Sequence, residues 1–166
     1  MKQRFTSRAT AVNGKAGKLP AIYKKINLDG LCILDIGCGA KIEYIRKFCA
    51  DNGAKWFGVD PYNRTMKQNA QEYLEYAKAE GAKCAFSSNV LNVIDDEEAI
   101  ETAVKAITGS GAYFVTVYEG NGSGIGRQTG VDQWQRNAKL EDYLKYFPAD
   151  AIIRKGVITN APELVK

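Results

Sequence analysis

The chain predicts an α/β fold, a mostly parallel sheet with helices on both faces, and three observations predict it. An apolar run at residues 31–34 passes through Asp35-Ile36-Gly37-Cys38-Gly39 into Ile42, Ile45, Arg46 and Cys49, which share one face at helical spacing. A second strand-like run, residues 56–59, ends in Asp60, about twenty positions beyond the glycine turn. Further on, strand-length apolar runs keep alternating with helical periodicities, the pattern of a sheet wrapped by its own crossover helices.

Residues 1–20 read as an extended arm, because Gly14, Gly17 and Pro20 interrupt regular structure. The remainder, 21–166, reads as one domain. A short helix is expected at 21–26 and a strand at 31–36. A helix at 41–52 then stops before Gly53, and a strand follows at 55–59. Ala70, Tyr73, Leu74 and Ala77 repeat at helical spacing within 66–79, with Gly81 as the stop. A strand at 83–88 leads to a loop and turn at 89–94. The acidic run Asp95-Asp96-Glu97-Glu98 opens a helix reaching about Thr108, where four carboxylates complement the positive helix end. Gly109 and Gly111 end it, and a buried strand follows at 112–118. A long glycine-rich loop spans 120–130, a late helix spans 139–147, and a last strand or hairpin spans 151–159.

The first turn carries the chemistry. Gly37 and Gly39 let backbone approach a ligand that side chains would exclude. Asp60, at the tip of the neighbouring strand, is placed to accept hydrogen bonds from ribose hydroxyls. A dinucleotide fingerprint requires a third glycine where Ile42 stands, and Asp35 would repel a pyrophosphate. The same carboxylate suits a cofactor with a cationic end. S-adenosylmethionine is therefore favoured over NAD.

Leu34-Asp35-Ile36-Gly37-Cys38-Gly39, Gly58-Val59-Asp60-Pro61 and Ser88-Asn89-Val90-Leu91-Asn92-Val93-Ile94 together resemble class I S-adenosylmethionine-dependent methyltransferases. A closer resemblance is to small methyltransferase-like proteins of bacteria and bacteriophages, including those associated with DNA phosphorothioation. It rests on the Val-Leu-Asn-Val-Ile stretch and on Thr129, Trp134-Gln135 and Tyr143-Leu144. The resemblance covers roughly residues 30–147, with a weaker echo at Arg8 and Pro20. It implies a reduced Rossmann-like fold in which the family's third strand is shortened or lost between Asp60 and Lys83. It also implies a cofactor site made of Asp35, Gly37, Cys38, Gly39, Asp60, Pro61, Asn89, Val90 and Leu91, and leaves the methyl acceptor open.

The 120–130 loop follows the wrong strand for a P-loop and lacks its Gly-Lys-Ser/Thr ending. It reads as a lid over the acceptor, with Arg127 gripping an anion and Glu119 at the hinge near the reacting group. Asn89 reads either as a cofactor contact or as a turn residue capping the next helix, and Trp134 and Gln135 as part of the family pattern or as ordinary packing of the next helix. The Asp-Pro-Pro-Tyr-like motif of amino-group DNA methyltransferases and the Pro-Cys nucleophile of cytosine-C5 enzymes are both absent. The acceptor is left as a small molecule, a protein or a nucleic acid. Two rivals stand beside the enzyme: a non-catalytic S-adenosylmethionine-binding module, and an NAD-dependent oxidoreductase.

Composition bounds these readings. The chain has 166 residues, 45% hydrophobic and 25% charged, enough for one buried core. It has no histidine, which excludes Ser-His and Cys-His pairs and every histidine metal site. Cys32, Cys38, Cys49 and Cys84 show no paired C-x-x-C spacing and read as reduced, buried thiols. No apolar stretch reaches membrane-helix length and no signal-peptide core is evident, so a cytoplasmic location is expected. The net charge of +4 is uneven: Lys2, Arg4, Arg8, Lys15, Lys18, Lys24 and Lys25 precede the first acid, Asp29. A basic arm of this kind contacts nucleic-acid phosphates or remains a solvated terminus.

Overall fold

The computed structural model describes residues 3–8 and 18–166. Its core is a six-stranded sheet in the order β2-β1-β3-β4-β8-β7. The strands are β1 (Leu31–Ile36), β2 (Lys55–Val59), β3 (Ala82–Ser88), β4 (Ala112–Thr116), β7 (Ile152–Arg154) and β8 (Val157–Thr159). β1 pairs in parallel with both β2 and β3, and β3 with β4; β8 runs antiparallel to β4 and to β7. The sheet is thus mixed and mostly parallel. A separate hairpin joins β5 (Arg127–Gly130) and β6 (Gln133–Gln135).

Alternation along the strands divides the core in two. Leu31, Ile33, Cys84, Phe86 and Phe114 pack with α1 (Ile22–Lys25) and α2 (Glu43–Asp51). Ala85, Tyr113, Val115 and Ile158 pack with α4 (Glu97–Thr108) and with a 3-10 helix at Leu140–Tyr146. The expected late helix is therefore a 3-10 helix. α4 buries Ile100, Val104 and Ile107, the spacing of one helical face. Its N-cap is Asp96, whose side chain accepts from Ala99 N at 3.0 Å. Asp96→Ala is expected to lose about 1 kcal/mol of stability by denaturant titration, with little change in the urea slope.

No strand lies between β2 and β3, so β2 forms the sheet's outer edge. α3 (Met66–Lys78) occupies that edge, and its orientation differs from the one its apolar spacing predicts. Tyr73 and Leu74 are 46% and 56% exposed and Met66 is 90% exposed, whereas Glu72 is buried. The free edge of β2 explains this. Glu72 Oε2 accepts from Gly58 N at 3.1 Å. Asn69 Oδ1 accepts from Asp60 N at 3.0 Å, and Asn69 Nδ2 donates to Asp60 O at 2.9 Å. Satisfying an open strand edge outweighs burying a few apolar side chains.

The 120–130 segment is hydrogen-bonded to Asn137 at two points. Gly124 N donates to Asn137 O at 2.8 Å, and Asn137 Nδ2 donates to Ile125 O at 2.9 Å. A Cβ on Gly126 would lie 2.2 Å from Trp134 Cζ2, so that glycine permits close packing on the indole. Among the described residues, no helix is long and apolar enough to cross a membrane.

Candidate functional site

The strand order reverses between β1 and β3: the chain leaves β1 for β2 on one side and returns to β3 on the other. Open α/β sheets bind ligands beyond the carboxyl ends of their strands at such a point. A cavity of about 1170 Å³ opens there. Asp35, Gly37, Cys38, Asp60, Pro61, Asn89 and Val90 all line it.

Asp35 forms its floor. The residue is 4% exposed near the end of β1, in register with Gly58 on β2 and Phe86 on β3. Tyr23 of α1 donates its hydroxyl to Asp35 Oδ2, and Trp56 Nε1 donates to the Tyr23 oxygen at 2.8 Å. Burial pushes the Asp35 carboxyl up to about 7; the hydrogen bond from Tyr23 opposes that rise and the nearby Asp60 charge adds to it. Burial, and then the Asp35 charge, raise the Tyr23 phenol well above its ordinary value, so Tyr23 remains a donor.

The glycine turn is closed on itself. Gly37 N and Cys38 N both donate to Val59 O, at 2.8 and 3.1 Å, and Gly39 N donates to Asp60 Oδ2 at 3.0 Å. Gly37 has φ +83°, and a Cβ there would lie 2.3 Å from Val90 Cγ2. The turn thus needs glycine for its backbone conformation and for its contact with the β3 loop. Burial, then the Asp35 and Asp60 charges, push the Cys38 thiol far up, so it is not a nucleophilic thiolate. All four cysteines are free and buried.

Asp60 is buried, and its Oδ1 accepts from Tyr62 N at 2.9 Å and from Asn63 N at 2.7 Å. The carboxylate therefore shapes its own loop, while Oδ2 keeps acceptor capacity beyond the single bond from Gly39. Asn89 is left-handed at φ +57°, its N–H donates to Thr116 O at 2.9 Å, and it lines the cavity. It is at once a turn residue and a wall residue.

Four expected site residues stand elsewhere. Gly39 belongs to the turn and bonds Asp60 but does not line the cavity, and Leu91 is fully buried in the α4 core. Glu119 Oε1 accepts from Leu140 N at 2.7 Å, next to the start of the 3-10 helix and outside the cavity. Arg127 is exposed on β5, also outside the lining. The β5–β6 hairpin instead presents Thr129, Gln133, Trp134 and Gln135 to the cavity. There Gln135 Oε1 accepts from Asn92 Nδ2 at 3.1 Å, and Gln135 Nε2 donates to Tyr118 O at 2.9 Å.

Sequence reasoning missed the Tyr23–Trp56 pair under Asp35, because no local pattern links a short helix to a tryptophan on another strand. It also missed residues 3–8, which fold over the cavity. Among the described residues, no group of His, Cys, Asp and Glu could hold a metal ion. The chain matches no family model and no curated protein.

Proposed function

We propose that this protein is an S-adenosylmethionine-dependent methyltransferase with a reduced, Rossmann-like class I architecture. The observation that carries this reading is the pairing of a buried carboxylate, Asp35, with a glycine turn whose N–H groups are already used. A pyrophosphate needs free backbone donors and no anion beneath it. A sulfonium and an ammonium need the reverse. Asp35 would face the cationic end, Asp60 would hold ribose hydroxyls, and Asn89 and Val90 would line the far wall. When bound, S-adenosylmethionine would supply an electrophilic methyl group for an acceptor lone pair, with a neutral thioether as the leaving group. The protein's own part is to hold the two reactants in line and exclude water.

A second reading, a non-catalytic S-adenosylmethionine-binding module, is favoured by one observation: the two residues chosen for chemistry, Glu119 and Arg127, lie outside the cavity. Calorimetry with S-adenosylmethionine, S-adenosylhomocysteine and NAD tests the cofactor. Binding of the first two without NAD is expected, and NAD binding alone would defeat the reading. Radiolabelled methyl transfer then separates enzyme from module. Asp60→Ala is expected to weaken cofactor binding by about tenfold or more, as loss of charge-assisted bonds costs about 1.5–3 kcal/mol. Unchanged affinity in a folded variant would count against the ribose placement.

A further inference from the structure

One extended segment, residues 3–8, crosses the mouth of the cleft and ties together the three elements around it. Beyond β2, Tyr62 Oη donates to Gln3 Oε1 at 3.2 Å. Beyond β3, Arg4 donates its N–H and Nε to Asp95 at 3.1 and 2.8 Å, and Ser7 Oγ lies 3.4 Å from Val93 O. On the hairpin side, Thr6 N donates to Asp132 Oδ1 at 2.8 Å and the Thr6 hydroxyl to Oδ2. Ser7 N donates to Asp132 O at 2.9 Å, and Ser7 Oγ accepts from Trp134 N at 3.1 Å. Phe5 stacks on Trp134 with centroids 5.7 Å apart. Gln3, Thr6, Ser7 and Arg8 face the cavity as its roof.

The charges around this chamber run against a polyanion. Among the described residues, Asp35, Asp60 and Glu98 line it, with Arg8 as the basic side chain. Tyr62 at the mouth is raised by burial and then by the charges of Asp132, Asp60 and Asp95. Arg4 of the basic arm is held by Asp95. A nucleic acid requires an open basic track along its phosphates. Here the described part of the arm is a cover over an acidic chamber. The cavity volume, about 1170 Å³, exceeds the roughly 300–1,000 Å³ that single small-molecule sites span and leaves room for a second small molecule beside a cofactor.

We propose that the methyl acceptor is a small molecule, neutral or cationic at its reacting end, enclosed beneath the roof formed by residues 3–8, and not a nucleic acid or a protein. This rests on the cofactor reading above. The segment belongs to no helix or strand and is held by a short set of hydrogen bonds and one ring stack, so it can lift for ligands to pass by local opening.

The test incubates the full chain with radiolabelled S-adenosylmethionine and a bacterial lysate, then separates small-molecule filtrate, protein and nucleic acid. Label in the filtrate is expected. Asp132→Ala, which unlatches the roof, is expected to reduce that transfer about tenfold with cofactor affinity unchanged, because a loosened chamber loses orientation. Arg4→Ala, at the other latch, is expected to act in the same direction. Label in protein or nucleic acid overturns the proposal, as does silence in every fraction while calorimetry still shows the cofactor bound. Absence of cofactor binding removes the underlying reading and overturns both.

Discussion

Glu72→Ala is expected to lose about 3–5 kcal/mol of folding stability, the cost of breaking a buried charge arrangement by removing one partner. Glu72 Oε1 accepts from Arg46 Nη2 at 2.5 Å and from Arg64 Nη2 at 3.1 Å, while Oε2 takes the Gly58 N–H. The Glu72 and Arg64 side chains are only 8% and 10% exposed, so that pair needs little discount for solvent screening, whereas Arg46 is 47% exposed and its pair adds little. Alanine would leave the Arg64 guanidinium unpaired and a backbone N–H of β2 without an acceptor. It would also release the loop carrying Asp60, because α3 holds that loop through Asn69. Glu72→Gln keeps an acceptor for Gly58 and is expected to lose less. Guanidinium unfolding at constant slope measures both. A loss below about 1 kcal/mol for the alanine variant would show that the edge of β2 needs no cap.

Asp35→Asn should act on binding instead of folding. It removes the carboxylate that faces the cationic end while retaining an acceptor for Tyr23. Affinity for S-adenosylmethionine is expected to fall about tenfold to a hundredfold, since hydrogen bonds to charged groups contribute about 1.5–3 kcal/mol. The wild-type protein should also show a pH signature. With its carboxyl at about 7, Asp35 is largely protonated below that pH, and a cation must displace the proton. Affinity therefore falls as pH drops below 7, by at most about tenfold per unit, and levels off above about 8. The asparagine variant should lack this dependence.

The effect on stability has the opposite sense. The folded carboxyl lies above its unfolded value of 3.8, so the folded state binds the proton more tightly than the unfolded state does. Ionising the buried group costs stability progressively from about pH 4 to about pH 7. Asp35→Asn removes that cost, so it should be as stable as wild type at pH 8 or more so. A binding defect without a folding defect is the expected signature.

The strand-turn-helix at 31–51 was legible because a buried parallel strand is a plain apolar run and because only glycine fits the turn. Asp60 was legible from its distance along the chain, and the shortened sheet from the lack of a strand pattern between Asp60 and Lys83. The face of α3 was not. Tyr73 and Leu74 mark an amphipathic stripe, but the hydrogen-bonding demand of β2's edge turns Glu72 inward, and edge demand depends on which strand is missing. The 120–130 glycines suggested a lid carrying Arg127 and Glu119, neither of which lines the cavity. Gly126 instead serves close packing on Trp134. Residues 3–8 looked like a solvated arm because Arg4 and Arg8 stand in a run without acids; the partner acids, Asp95 and Asp132, lie far along the chain. The expectation for 9–17 falls outside the described residues.

The cleft between the ends of β1 and β3 can be tested most directly by a crystal structure of the full chain with S-adenosylhomocysteine. The ribose is expected against Asp60, the amino-acid end over Asp35 and Gly37, and residues 3–8 over the free space beside the ligand. Nucleoside bound elsewhere on the molecule, or a cleft filled by the chain's own side chains with no ligand in it, would contradict this placement.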